Sequence, residues 1–355
     1  FKAPGFLLFL FGLFIVLIIF LSAGFHTTEP LPTFSTEPRT LPPSVNGKWT
    51  RSNNYSQAPY PVCLMSWGAH SELNVIDLAI LSSYAYIENT SSYESGGAVY
   101  NSTSQAFEDS YSQTIATIIA FHNYSEVGRV IATRFFNPHD SSTPATTVLA
   151  VKGSSEAFDF YEDMNLWAMV FAFQVLVPFF NLLDLMPNWF FAYFFDWFPH
   201  TNDQAFQKVK DVYSQLHFKY PKDSFIVTGH SLGGGIAAVA GGNLSIPAVS
   251  FSGPGSHFSR YRFGTTMERT FRSVVDIKPQ SDLIHKFDRH DDVGQRIACQ
   301  KSSMISCHSI YSTICELWRV CGHRRPRDFS SMCKDVFRND EPPKSEYLSE
   351  GQFGE

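Results

Sequence analysis

The segment Gly229-His230-Ser231-Leu232-Gly233 constrains the fold of this chain more than any other. It lies between an apolar run, Phe225-Ile226-Val227-Thr228, and a helix former, Ile236-Ala237-Ala238-Val239-Ala240. That order predicts a strand, a sharp turn and a helix, with Ser231 at the apex. A serine there takes a strained backbone conformation, and glycine two residues away on each side leaves the turn room to close. Such an elbow is expected to lift the Ser231 hydroxyl above the sheet edge as a candidate nucleophile. The backbone N–H of Leu232 then becomes a donor for developing negative charge.

The surrounding pattern predicts an α/β fold. Residues 71–88 show helical apolar spacing, with Ser71 as the expected N-cap and Asn89 near the end. Residues 127–136 and 146–151 are β-rich and predict neighbouring strands. An amphipathic helix over 201–220 leads into the strand before Ser231, and 248–251 and 272–277 continue the alternation. A mostly parallel sheet covered on both faces follows. At 355 residues there is room for one large domain with appendages. A net charge of -6 gives no electrostatic case for nucleic acid.

A serine hydroxyl needs a histidine to take its proton and an acid to hold that histidine. Residues 274–284 predict a strand ending in a turn that presents Asp282 at the sheet's C-terminal edge. Asp276 falls inside that strand, and Asp288, Asp291 and Asp292 lie in a charged, solvated stretch. His308 is the expected base, in a loop fixed by a disulfide at Cys307. His323, beside Arg324 and Arg325, is the runner-up. His230 is expected to point away from the hydroxyl. Ser154, following the strand at 146–151, is expected to supply the second oxyanion donor.

These residues carry a resemblance. AVKGSSEAFDFYEDMNLW (150–167) is similar to the segment after the oxyanion loop of fungal-type class 3 lipases, and YPKDSFIVTGHSLGGGIAAVAGG (220–242) to their nucleophile region. DLIHKFD from Asp282 resembles the family's acid segment, with Leu283 where a proline is usual. The resemblance spans about 71–333. It implies an α/β-hydrolase fold and hydrolysis of acylglycerols or related lipid esters, without a cofactor or metal. The implied roles are Ser231 nucleophile, Asp282 acid, His308 base, and Ser154 and Leu232 oxyanion donors. The 26-residue gap from Asp282 to His308 is shorter than in secreted fungal members, and Cys307-His308 resembles membrane-anchored protist members. A non-catalytic lipid-binding scaffold, or an acyltransferase using the same acyl-enzyme, are the alternatives.

The rest of the chain points to export and to lipid. Phe6–Phe25 is an uncharged apolar run of 20 residues, long enough as a helix to span a bilayer. The expected organisation is an anchor over 1–26, with a cleaved signal peptide as the alternative, and a Pro/Ser/Thr-rich linker over 27–60. A hydrolase domain over 61–335 and a polar tail over 336–355 complete it. Because the chain opens on Phe, its natural start is expected upstream. The catalytic domain would then lie on the lumenal or extracellular side of a membrane, or be secreted. Acceptor patterns for N-glycosylation occur at Asn54, Asn89, Asn101, Asn123 and Asn243. Six cysteines, five of them within 299–333, predict disulfides stapling a loop-rich region, with connectivity open. A zinc site with His308 and His323 is the weaker alternative, since no C-x-x-C pair occurs. Within the insert 164–200, residues 166–198 hold nine Phe, three Trp and only two charges, Asp184 and Asp196. A lid facing a lipid interface is the expected role, with a buried helical pair as the bland alternative.

Overall fold

The computed structural model of the chain describes residues 60–67, 73–86, 116–122, 129–136, 144–153, 204–257, 259–282, 284, 294–299, 303–321, 333 and 336. Among the described residues, seven strands form one sheet in sequential order. β1 (Ala116–His122), β2 (Val130–Phe135) and β3 (Thr146–Val151) are antiparallel neighbours. From β3 onward every pair is parallel, through β4 (Ser224–His230), β5 (Ala248–Phe251), β6 (Val274–Pro279) and β7 (Gly294–Ile297). All six residues of β3 are buried, as a central strand covered on both faces requires.

Alternation along the strands sends side chains into two cores. On one face, Ile131, Val148, Ile226, Val249 and Ile277 pack with α1 (Val75–Tyr84) and α6 (Ile310–Cys321). On the other, Val130, Leu149, Val227 and Ala248 pack with α2 (Gln204–Lys219) and α3 (Leu232–Leu244). Two short helices, α4 (Met267–Ser273) and α5 (Met304–His308), precede β6 and α6. This is the expected α/β-hydrolase arrangement of a mostly parallel sheet between helical layers.

Several boundaries differ from expectation for local reasons. α1 starts at Val75, capped by Asn74 rather than Ser71. Asn74 Oδ1 accepts from the Ile76 and Asp77 N–H groups, and Asp77 accepts from the Asn74 N–H, which closes a capping box. Arg272 belongs to α4, and β6 begins at Val274. Among the described residues of the cysteine-rich segment, α5 and α6 occupy most positions, where a loop-rich region was expected. The disulfides are Cys63–Cys321, Cys299–Cys307 and Cys315–Cys333, so all six cysteines are paired.

Asn243 stands half-buried in the last turn of α3 and donates its amide to the Phe263 and Gly264 carbonyls. The other four acceptor asparagines, the segment 1–26, the linker as far as 59 and the insert 164–200 lie outside the described residues. Among the described residues, no helix is long and apolar enough to cross a membrane.

Candidate active site

The C-terminal edge of the parallel strands gathers the polar residues. In an open α/β sheet this edge collects the loops that leave neighbouring strands, which makes it the ordinary place for a ligand. β4 ends at His230 and α3 begins at Leu232, leaving Ser231 alone in the turn at φ 58° and ψ -130°. Its N–H donates to the Phe251 carbonyl at 2.9 Å, and the Gly234 and Gly235 N–H groups return to its own carbonyl. A Cβ on Gly229 would strike the Gly233 carbonyl, and one on Gly233 would strike the Val151 carbonyl. The close approach of helix to strand, rather than any positive φ, therefore fixes these two glycines.

One imidazole joins the two expected partners. His308 Nε2 lies 2.9 Å from Ser231 Oγ, and His308 Nδ1 lies 3.1 Å from each carboxylate oxygen of Asp282. The carboxylate accepts, so Nδ1 carries the hydrogen and Nε2 keeps a lone pair for the serine proton. Asp282 is fully buried and also accepts from the Ile284 N–H at 2.9 Å. Burial pushes its carboxyl up, but hydrogen bonding to His308, that ring's charge and the Ile284 N–H outweigh burial and hold the carboxyl below its ordinary range. His308 closes α5 directly after Cys307, whose disulfide to Cys299 ties the helix to the end of β7. The imidazole is thus on a helix end rather than in the loop expected.

Ser231 itself departs from expectation. Its residue is only 4% exposed, not proud of the sheet edge. The His308 ring is hydrogen-bonded to its hydroxyl, and the Gly153 backbone packs close to its Cβ. Leu232 heads α3, where first-turn N–H groups have no partner within the helix, a ready place for an anion. Lys152 and Gly153 follow β3 at the same edge and are buried. Ser154, His323, Asp288, Asp291 and Asp292 lie outside the described residues. Asp276 is buried inside β6, 4.0 Å from Lys278 Nζ and away from the serine's hydrogen-bond partners. Among the described residues, no group of histidine, cysteine or carboxylate side chains could hold a metal ion.

Two further residues stand at the site: His230, expected only to point away from the hydroxyl, and Tyr86, which has no signal in the sequence pattern. The His230 ring packs against His308, with centroids 4.8 Å apart, and its Nε2 lies 2.6 Å from the His308 carbonyl. Tyr86, just past α1, places its hydroxyl 2.9 Å from His230 Nδ1. Nothing in the spacing of 71–88 distinguishes Tyr86 from the other tyrosine of that helix.

The family described as lipase (class 3) matches residues 148–291. Residues 148–291 are thus similar to class 3 lipases. Within that stretch fall Ser231, Leu232 and Asp282, while His308 lies beyond its end. Among curated proteins, "Putative lipase ATG15" of Yarrowia lipolytica is 39% identical over 56 residues, covering 16% of this chain and 10% of that protein. The protein of the same name from Mycosarcoma maydis is 22% identical over 148 residues, covering 37% of this chain and 28% of its own length. The chain thus spans 10% and 28% of the length of these two relatives. Among solved structures, the Lip2 lipase from Yarrowia lipolytica is 14% identical, with a TM-score of 0.34 over 63% of this chain and 77% of that one. The lipase from Rhizopus microsporus var. chinensis is 12% identical, with a TM-score of 0.33 over 64% of this chain and 75% of that one.

Proposed function

We propose that this chain is a serine carboxylic-ester hydrolase that cleaves acyl esters of glycerolipids. The observation that carries the proposal is the single imidazole between Ser231 Oγ and the Asp282 carboxylate. As Oγ attacks the ester carbonyl carbon, its proton passes to His308 Nε2. The Asp282 carboxylate stabilises the imidazolium that forms. The new oxyanion takes the Leu232 N–H, with Ser154 as the proposed second donor. His308 then returns the proton to the departing alcohol, leaving an acyl group on Ser231. Water enters by the same route in reverse, with His308 as base, and releases the fatty acid.

The enclosed serine supports a lipid interface as the place of action, because a site closed in water must open to admit an acyl chain. The aromatic insert 164–200 is the proposed cover, and the apolar segment 1–26 the proposed tether. Three disulfides favour an oxidising compartment, so the proposed location is the lumenal or extracellular side of a membrane.

Fluorophosphonate labelling of the full chain, beside its Ser231→Ala variant, tests the proposal. Wild type is expected to take up one label per chain and to hydrolyse a glycerolipid ester. Ser231→Ala is expected to do neither. Equal labelling of the two, or no ester turnover by a folded wild type, would remove the hydrolase reading in favour of a lipid-binding scaffold.

A further inference from the structure

His230 takes no part in the proton transfers of acyl transfer, yet both of its ring nitrogens are engaged. Nε2 lies 2.6 Å from the backbone carbonyl of His308. A carbonyl only accepts, so Nε2 must carry the hydrogen and donate it. Burial, and the neighbouring His308 ring, hold the His230 imidazole down to about 3, which keeps it neutral near pH 7. In the neutral ring Nδ1 is then the acceptor, and the Tyr86 hydroxyl, 2.9 Å away, supplies the proton. Burial pushes that hydroxyl well above the usual tyrosine range, so it stays a donor. The same oxygen accepts the Gly153 N–H. A Cβ on Gly153 would collide with both the Tyr86 hydroxyl and the His230 carbonyl, so the loop after β3 is seated directly on this pair.

We infer that His230 is a positioning residue for the base: oriented by Tyr86, its Nε2–H anchors the His308 carbonyl and holds that imidazole between Asp282 and Ser231. The chain of donors runs from Gly153 N–H to Tyr86, from Tyr86 to His230, and from His230 to the His308 backbone. It links the end of β3, the end of α1, the turn before Ser231 and the end of α5. A second imidazole packed 4.8 Å from the base, its ring tilted by 38°, would, were it charged, oppose the imidazolium that forms on His308 during each turnover. Neutral, it offers a hydrogen bond without that repulsion. The inference rests on the reading of Ser231 and His308 as nucleophile and base.

Four full-chain variants test it, with kcat and KM measured on a soluble p-nitrophenyl ester and fluorophosphonate labelling rates beside them. His230→Phe keeps a ring but deletes the donor. It is expected to lose about tenfold to a hundredfold in kcat with KM little changed, since a displaced base costs rate rather than binding. His230→Gln can both donate to the His308 carbonyl and accept from Tyr86, and it is expected to recover most of that loss. Tyr86→Phe, which removes one oxygen, is expected to fall several-fold in kcat. If the ring mattered only as packing, His230→Phe would equal or exceed His230→Gln, and that order would overturn the inference. So would a Tyr86→Phe variant turning over at the wild-type rate, a result that decides the matter even if His230→Phe does not fold. Ser231→Ala keeps the two readings apart. Full turnover by Ser231→Ala sinks the reading of Ser231 as nucleophile, whereas an inactive Ser231→Ala beside an unimpaired His230→Phe sinks only the positioning role.

Discussion

At Ser231 the backbone sits where side chains seldom go, at φ 58°, a conformation that costs on the order of 1–3 kcal/mol. The Phe251 carbonyl and the two α3 amides that close on the turn hold it there. The cost has a purpose only if the hydroxyl meets its base, and the 2.9 Å contact with His308 meets that requirement. Asp282→Asn keeps the shape but removes the charge that holds His308 in its tautomer, and His308→Ala removes the base. Each is expected to depress turnover by on the order of 10³- to 10⁴-fold with the unfolding transition preserved, as read by steady-state kinetics beside thermal melting. Acid acts on the same residues through stability. His230 titrates at about 3 in the folded chain against an ordinary 6.5, so below pH 6.5 the unfolded chain takes up a proton that the folded chain refuses. Its contribution to stability is complete above pH 6.5 and is lost as the pH falls towards 3, at about 1.4 kcal/mol per pH unit. Asp282, held below its ordinary range, adds a further loss once the pH drops through the carboxylate range. Urea unfolding at pH 7 and pH 5 is expected to show a drop of about 2 kcal/mol from His230. The His230→Gln chain, with nothing to titrate there, should lack that share of the drop.

The elements place these residues by simple local rules, and where a rule was strong the sequence could be read. The β4–turn–α3 unit was legible because glycine at 229 and 233 is forced by contact, and contact is written into the residue type. Asp282 was legible because an acid just past an apolar strand must sit at that strand's end. α1 was read with the wrong cap, since Ser71 and Asn74 both suit a helix start and only the reciprocal bonds of Asn74 and Asp77 separate them. β7 (Gly294–Ile297) was not read, because four residues of mixed polarity carry no period. α6 was missed for another reason. Ile310, Ile314, Leu317, Trp318 and Cys321 follow a helical period, but the density of cysteines argued for loops, and disulfides turn out to staple helices as readily. Tyr86 and the second role of His230 were beyond reach, since both depend on which chain ends the sheet brings together. The Asn74 cap is itself testable. Asn74→Ala unpairs the two first-turn amides of Ile76 and Asp77, and is expected to cost about 1 kcal/mol in thermal or urea unfolding. Because Tyr86 lies just beyond the other end of α1, ester turnover by the folded fraction should persist, which separates a loss of fold from a loss of the site.

Across the molecule, one covalent link and one buried polar cluster close the chain on itself. Cys63–Cys321 joins residues 258 apart, tying the segment before α1 to the end of α6, so that both coverings of one sheet face are fastened together. Beside it, Tyr60 donates to Glu316, the Ala298 N–H donates to Tyr60, and Arg319 grips Glu316 through Nε and Nη2. Ala298 is next to Cys299, whose disulfide to Cys307 abuts the base. Closing so long a loop removes much of the freedom of the unfolded chain, and its loss in a Cys63→Ser, Cys321→Ser pair is expected to cost up to about 5 kcal/mol in urea unfolding. Ser231 itself is enclosed. An enclosed nucleophile presents a problem that only movement solves. In water, apolar cover gains by staying shut, because opening returns hydrocarbon to solvent at about 25 cal/mol per Å². Against a lipid surface the proposed aromatic cover would lose nothing by opening, since its rings would exchange one apolar setting for another. The balance therefore turns on the substrate's physical state rather than on its concentration alone. With a short-chain glyceride ester titrated through its solubility limit, the rate per molecule of full-length chain is expected to step upward where droplets form. Deleting aromatic rings within 166–198, for instance Phe190→Ser with Phe191→Ser, should shrink the step while leaving the fluorophosphonate labelling of Ser231 in place. A smooth hyperbola through the solubility limit, identical for both chains, would mean that the serine opens without help from lipid.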